Sequence, residues 1–250
     1  MFTISYLYIN IIVKHTSIKG DKHMNKKNIT LVVSIIFNIC FIISLYVIHL
    51  NGGLQWIKNK NIIDTPYYLA KESQFETLNI KNSDFVFLGD SITNRCEWSE
   101  LFNNPNIKNR GLDGDTTDGI LNRLDNITKG QPKKIFLMIG INDFLQKKNT
   151  NYVLNNYKKI LTEIQSKSPN TIIYVQSTLP NNNVKSNNNI INLDNGLKKL
   201  TTSKIIYVDL FNKFKDNGKL SNKYTFDGTH LNGQGYLIWK QAIEQYVNTQ

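Results

Sequence analysis

The stretch Asp84-Phe85-Val86-Phe87-Leu88-Gly89-Asp90-Ser91-Ile92-Thr93 decides how the rest of the chain is read. Residues 84–88 form a short apolar run rich in β-branched and aromatic side chains, the pattern of a buried strand, and Gly89 breaks it. A serine at the carboxyl end of such a strand can project from the sheet edge toward solvent. The N-terminus of the following helix and the serine's own backbone N–H are then available to a developing oxyanion. Alone, Gly-Asp-Ser is an ordinary turn, so its weight depends on what the remaining segments supply.

Working outward, four further strand candidates follow at residues 107–110, 134–139, 171–176 and 204–208. Helical patterns lie between them. In residues 151–167, Val153, Leu154, Tyr157, Ile160, Leu161 and Ile164 share one face, and in residues 235–247 Tyr236, Ile238, Trp239, Ala242, Ile243 and Tyr246 do the same. Strands alternating with helices predict a parallel sheet covered on both faces, a three-layer α/β domain over residues 81–250. Catalytic groups then belong at the carboxyl ends of the strands. The Asn-rich piece 181–189 reads as an exposed loop with biased composition and no function.

Upstream, residues 29–50 (ITLVVSIIFNICFIISLYVIHL) contain no Asp, Glu, Lys or Arg and are long enough to cross a bilayer as a helix. Thr30, Ser34, Asn38, Ser44 and His49 can bond back to the helix or face a neighbour. A cleaved signal peptide would need small residues near the cleavage site, yet the first alanine is Ala70. The reading is therefore an uncleaved single-pass anchor. Lys14, Lys19, Lys22, Lys26 and Lys27 precede it and only Lys58 and Lys60 follow closely, which puts residues 1–28 in the cytoplasm and the catalytic domain outside. Met24-Asn25-Lys26-Lys27 has the form of a start before an anchor, so the first 23 residues can belong to an over-extended reading frame. Residues 51–80 read as a stalk.

The net charge of +11 raises the question of nucleic acid, but seven Lys and one Asp fall in residues 1–60, so more than half the excess flanks the apolar segment. The rest is scattered lysine without a nucleic-acid motif, and no nucleic-acid partner is expected. Cys40 lies inside the apolar run, which leaves Cys96 a free thiol, read as buried and inert.

Histidine usage sharpens the chemistry. His15, His23 and His49 lie within or before the membrane segment, and His230 alone belongs to the predicted domain. In Phe226-Asp227-Gly228-Thr229-His230-Leu231 a three-residue offset through glycine can bring the Asp227 carboxylate to the imidazole Nδ1–H, leaving Nε2 to take the Ser91 proton. Two other segments offer oxyanion donors: the backbone N–H of Gly111, in Asn109-Arg110-Gly111-Leu112-Asp113-Gly114-Asp115, and the amide of Asn142, in Gly140-Ile141-Asn142-Asp143.

In this order the four segments resemble the motif blocks of the SGNH hydrolases, also called GDSL esterases/lipases, over roughly residues 82–247. The resemblance implies Ser91 as nucleophile and first oxyanion donor, Gly111 and Asn142 as the other donors, His230 as base and Asp227 as its orienting acid. It also implies a flavodoxin-like five-stranded sheet, with neither cofactor nor metal. Residues 109–124 (NRGLDGDTTDGILNRL) are most similar to the branch that includes bacterial acyl esterases and platelet-activating-factor acetylhydrolase catalytic subunits, which implies short acyl groups, acetyl above all. The anchor departs from that branch. Ser91 also lacks the glycine two residues on that a G-x-S-x-G elbow requires. The expected function is hydrolysis of short-chain acyl esters of a lipid or glycan. The rivals are an acyltransferase acting on envelope glycans and a catalytically silent acyl-ligand-binding surface protein.

Overall fold

The computed structural model describes residues 26–50, 65–183 and 187–249. The chain divides into two units, Met1–Lys60 and Asn61–Gln250. In the first, helix α1 (Lys26–Leu50) contains a segment, Asn28–Val47, long and apolar enough to cross a membrane. Two of its polar residues bond back to the helix: Asn38 Nδ2 donates to Ser34 O at 2.9 Å and Ser44 Oγ to Cys40 O at 2.8 Å. The expected cytoplasmic segment up to residue 25, and residues 51–64 of the expected stalk, lie outside the described residues.

The second unit opens earlier than its sequence predicts. Helix α2 (Pro66–Thr77) falls in the expected stalk, yet it is part of the domain. Thr65 caps it by accepting from Tyr68 N at 3.2 Å, and Pro66 sits in the first turn, where a missing N–H costs nothing. Tyr68 and Phe75, two turns apart, form its buried face and cluster with Leu112. Two apolar anchors in twelve residues make a weak periodic signal, which is why the stretch reads as linker.

Five strands then alternate with helices. In chain order they are β1 (Phe85–Gly89), α3 (Ser91–Asn94), β2 (Ile107–Gly111), α4 (Thr117–Arg123), β3 (Lys134–Met138), α5 (Ile141–Leu145), α6 (Thr150–Lys167), β4 (Ile172–Gln176), α7 (Asn188–Leu197), β5 (Ile205–Val208) and α8 (Gly233–Asn248). Within this five-stranded sheet every pairing is parallel, in the order β2-β1-β3-β4-β5, the flavodoxin-like order with its switch point beside β1. Each strand lies within one residue of its predicted limits. Gly89 is level with Gly111 on one side and Met138 on the other, so the loops leaving β1, β2 and β3 emerge side by side.

β1 and β3 are buried along their whole length, as central parallel strands with both faces covered should be. Phe87 stacks on Trp98 and Phe136 at centroid separations of 4.3 and 4.8 Å, and Trp239 of α8 meets Trp98 edge-on at 4.8 Å. Val153, Tyr157, Ile160, Leu161 and Ile164 of α6 are buried as predicted, with Leu154 partly so. Cys96 is buried, and burial pushes its thiol up to about 12, which keeps it protonated and unreactive near neutral pH.

Candidate active site

Asp90 ends β1 as the N-cap of α3, its Oδ1 accepting from Ile92 N at 3.0 Å, and this turn delivers Ser91 to the first helical position. The cap is wholly buried, and burial pushes the Asp90 carboxyl up to about 7. The carbonyls of the short helix are held from three directions. Tyr236 of α8 donates to Ile92 O at 2.9 Å, Trp98 Nε1 donates to Thr93 O at 2.8 Å, and Asn109 Nδ2 reaches the carbonyls of Thr93, Asn94 and Cys96 at 3.0–3.2 Å. A four-residue helix cannot hold its own shape, so these side chains fix the Ser91 turn.

Ser91, His230 and Asp227 come together as the sequence predicts. Ser91 Oγ lies 2.9 Å from His230 Nε2, and His230 Nδ1 lies 2.7 Å from Asp227 Oδ2. The second Asp227 oxygen accepts from the backbone N–H of Thr229 at 2.9 Å and of His230 at 2.8 Å. Partial burial raises the Asp227 pKa, but the hydrogen bonds from the His230 ring and from these two N–H groups outweigh it and hold the carboxyl well below the usual carboxylate range. An ionised Asp227 selects the tautomer with Nδ1–H toward it, leaving Nε2 to accept from Ser91.

The expected donors divide. Asn142, in the first turn of α5, donates one amide hydrogen to Asp115 O at 2.8 Å, and among the hydrogen bonds of the described residues none engages the second. α5 is held in turn by Asp143, whose buried carboxylate accepts from Thr117 N at 3.0 Å and Thr117 Oγ1 at 2.6 Å; burial pushes this carboxyl up to about 6. Gly111 departs from expectation. Its N–H is committed to Asn109 Oδ1 at 2.8 Å, and its missing Cβ is explained by packing, since a Cβ there would lie 2.2 Å from Asn94 N. Three residues on, Gly114 takes φ +79 in a turn closed by Asp115 N donating to Leu112 O at 3.1 Å. Among the hydrogen bonds of the described residues none engages the Gly114 N–H. The signal for it was present in Leu112-Asp113-Gly114-Asp115, a turn sequence that calls for a left-handed glycine.

Beneath this loop lies a polar hub that sequence reasoning did not foresee. Arg123 of α4 and Asp115 form an ion pair at 2.9 Å with both side chains almost fully buried. Arg123 Nη2 also donates to Gly89 O at 3.2 Å and Arg110 O at 2.8 Å, tying together the ends of β1 and β2. Tyr68 of α2 adds a hydrogen bond to Asp115 at 3.4 Å. Asp115 therefore links the hub, through its own carbonyl, to the Asn142 amide.

A hydroxyl in line with an imidazole and a carboxylate, at the carboxyl edge of a parallel sheet with N–H donors alongside, is equipped for acyl transfer through oxygen. The class so defined is that of hydrolases acting on esters. Comparison with known proteins agrees: the model of the GDSL-like lipase/acylhydrolase family matches residues 87–238, and the chain belongs to that family. Platelet-activating factor acetylhydrolase IB subunit alpha2 of Rattus norvegicus is 30% identical over 179 residues, which cover 67% of this chain and 77% of that protein. A structure from Streptococcus pneumonia, provisionally described as a platelet activating factor, is 29% identical with a TM-score of 0.70, over 78% of this chain and 97% of that one. A GDSL-like lipase from Bacteroides thetaiotaomicron shares the fold at 22% identity, TM-score 0.63, over 72% of this chain and 96% of that one.

Proposed function

We propose that the protein is a membrane-anchored serine esterase that removes short acyl groups, acetyl first among them, from a lipid or glycan. The observation that carries this reading is the unbroken line Ser91 Oγ, His230 Nε2, His230 Nδ1, Asp227 Oδ2, with separations of 2.9 and 2.7 Å. Ser91 Oγ attacks the ester carbonyl as its proton passes to His230 Nε2. The tetrahedral oxyanion is held by the N–H of Ser91, the free amide hydrogen of Asn142 and the N–H of Gly114, which takes the part expected of Gly111. Collapse expels the alcohol with the proton from His230 and leaves an acyl-serine. Water, activated by the same imidazole, then releases the acid and restores Ser91.

The preference for short acyl groups leans on the likeness to an acetylhydrolase subunit. Among p-nitrophenyl acetate, butyrate and octanoate, acetate is expected to give the highest kcat/KM. On acetate, Asn142→Ala is expected to cost roughly 10²–10³-fold in kcat through loss of one oxyanion donor. Octanoate as the best substrate would overturn the chain-length assignment, and full activity in the variant would remove Asn142 from the oxyanion site.

The anchor reading rests on the length and apolarity of Asn28–Val47 and on the lysines that precede it. The full chain is expected to remain with membranes through an alkaline carbonate wash, and a chain beginning at residue 61 is expected to be released. Protease added to intact cells should remove the domain. Release of the full chain by carbonate would refute the anchor, and protection of the domain would refute its outward orientation.

A further inference from the structure

The loop that carries Asp227 and His230 comes from a part of the chain far from Ser91, and its position depends on what holds it against the sheet. Inside the loop, Thr225 Oγ1 donates to His230 O at 2.7 Å and accepts from Gly228 N at 3.0 Å, and Thr225 bridges to Leu231. These bonds make the loop rigid in itself. They do nothing to fix its distance from α3.

The attachment is made by the asparagines after β4, the tract whose composition reads as a functionless exposed loop. Asn181 is buried, with 1% of its surface exposed, and uses both ends of its amide. Its Nδ2 donates to Thr229 Oγ1 at 3.0 Å, its Oδ1 accepts from Asn183 N at 2.8 Å, and its backbone N–H donates to Asn187 Oδ1 at 3.0 Å. Asn183 Nδ2 adds bonds to Thr229 Oγ1 at 2.7 Å and to Asp227 O at 3.2 Å. Between them Asn182 N donates to Gly228 O at 2.9 Å, while its side chain exchanges two bonds with the backbone of Leu220. Gly228, at φ +78, lets the two loops close, because a Cβ there would lie 2.8 Å from that of Asn182. Every residue from Asp227 to Thr229, the span between the acid and the base, is thus bonded to Asn181, Asn182 or Asn183.

We propose that Asn181 is a positioning residue of the active site, acting through Thr229 to set the distance between His230 and Ser91. A buried primary amide suits the task. It gives a donor and an acceptor in one plane without placing a second charge beside Asp227, and once buried it must keep both partners. Its anchor is the end of β4, and the same segment is fixed to its neighbours by Thr178 Oγ1 donating to Ile139 O at 3.1 Å and by Ser177 Oγ accepting from Leu210 N and Phe211 N at 2.7 Å. The loop is therefore registered against the sheet that also presents Ser91.

This inference rests on the serine-esterase reading, and the test separates the two. Full-length protein in detergent micelles, wild type, Asn181→Ala and Thr229→Val, would be compared for kcat and KM on p-nitrophenyl acetate, for the low-field proton resonance of the His230 Nδ1–H, and for Tm. Misplacement of a catalytic group by a fraction of an ångström to an ångström costs up to about 100-fold in rate. Both variants are expected to lose roughly 10- to 100-fold in kcat at nearly constant KM, with the low-field resonance shifted or broadened. A lowered Tm with kcat and the resonance as in wild type would mean that the asparagine only supports the fold, and would overturn the proposal. Should Asn181→Ala not fold, Thr229→Val removes the same bond from the partly exposed side, together with that from Asn183, and Asn183→Ala removes the latter alone; wild-type kcat and resonance in Thr229→Val, or an equal loss in Asn183→Ala, overturn the assignment to Asn181. Absence of Ser91-dependent turnover in the wild type would instead refute the esterase reading.

Discussion

Ser91→Ala is expected to lower kcat on p-nitrophenyl acetate by about 10⁴–10⁶-fold while leaving Tm nearly unchanged. The two halves of this expectation have separate causes. In the proposed mechanism the hydroxyl is the atom that forms the acyl bond, and the nearby thiol cannot replace it. Cys96 is buried and its pKa is pushed up to about 12, so almost no thiolate exists near neutral pH. The residual rate would come from the donors of Asn142, Gly114 and Ser91 N–H acting on water as nucleophile. Stability is spared because the His230 side chain is 23% exposed, so water can take up the Nε2 hydrogen bond once Oγ is gone. A burst of p-nitrophenol in the wild type, absent from the variant, would report the acyl-enzyme directly. A variant within tenfold of wild type would show that Ser91 is not the nucleophile.

The parts of this architecture legible in the sequence are those set by local pattern. Central parallel strands such as 85–89 and 134–138 are apolar on both faces, so they stand out as short unbroken runs. α6 declares itself by one apolar face, although the pattern is silent about Asn156, which is buried among apolar neighbours because its amide bonds to Thr117 Oγ1 at 3.0 Å and Asp118 at 2.9 Å. The pairing of Asp227 with His230 was legible because both groups lie within one short loop and no other histidine follows residue 49.

What stayed hidden is non-local. The Gly111 N–H looks free in a sequence, and only the folded chain shows that Asn109, two residues earlier, has taken it. Asn181 belongs to a run of three asparagines, the composition of an exposed loop, and its burial follows from Thr229 arriving 48 residues later in the chain. The Arg123–Asp115 pair likewise gains its role from the carbonyls of Gly89 and Arg110, which the sheet register brings together. Such side chains are chosen by partners that a sequence window does not contain.

The largest consequence concerns where the domain begins. A chain starting at residue 81, the boundary that composition predicts, is expected to be insoluble or to melt roughly 10–20 °C below a chain starting at residue 61. Removing α2 uncovers the space filled by Tyr68 and Phe75, 1% and 6% exposed in the intact unit. Burial of two such side chains is worth about 3–6 kcal/mol together, against a net stability on the order of 5–15 kcal/mol for a whole domain. The loss falls on a sensitive place. The Phe75 ring covers the guanidinium of Arg110 at 4.9 Å and of Arg123 at 5.8 Å, and Arg110 Nη2 donates to Leu78 O at 2.8 Å, so both cations and Asp115 would meet water. Hydration weakens the Arg123–Asp115 pair, and with it the carbonyl that orients Asn142. Esterase activity is therefore expected to fall further than the loss of folded fraction alone accounts for. Thermal unfolding followed by circular dichroism, with kcat measured well below the transition, separates the two effects. Equal melting temperatures for the two chains would mean that α2 is the stalk its composition resembles, and that the hub beneath the Gly114 loop stands without it.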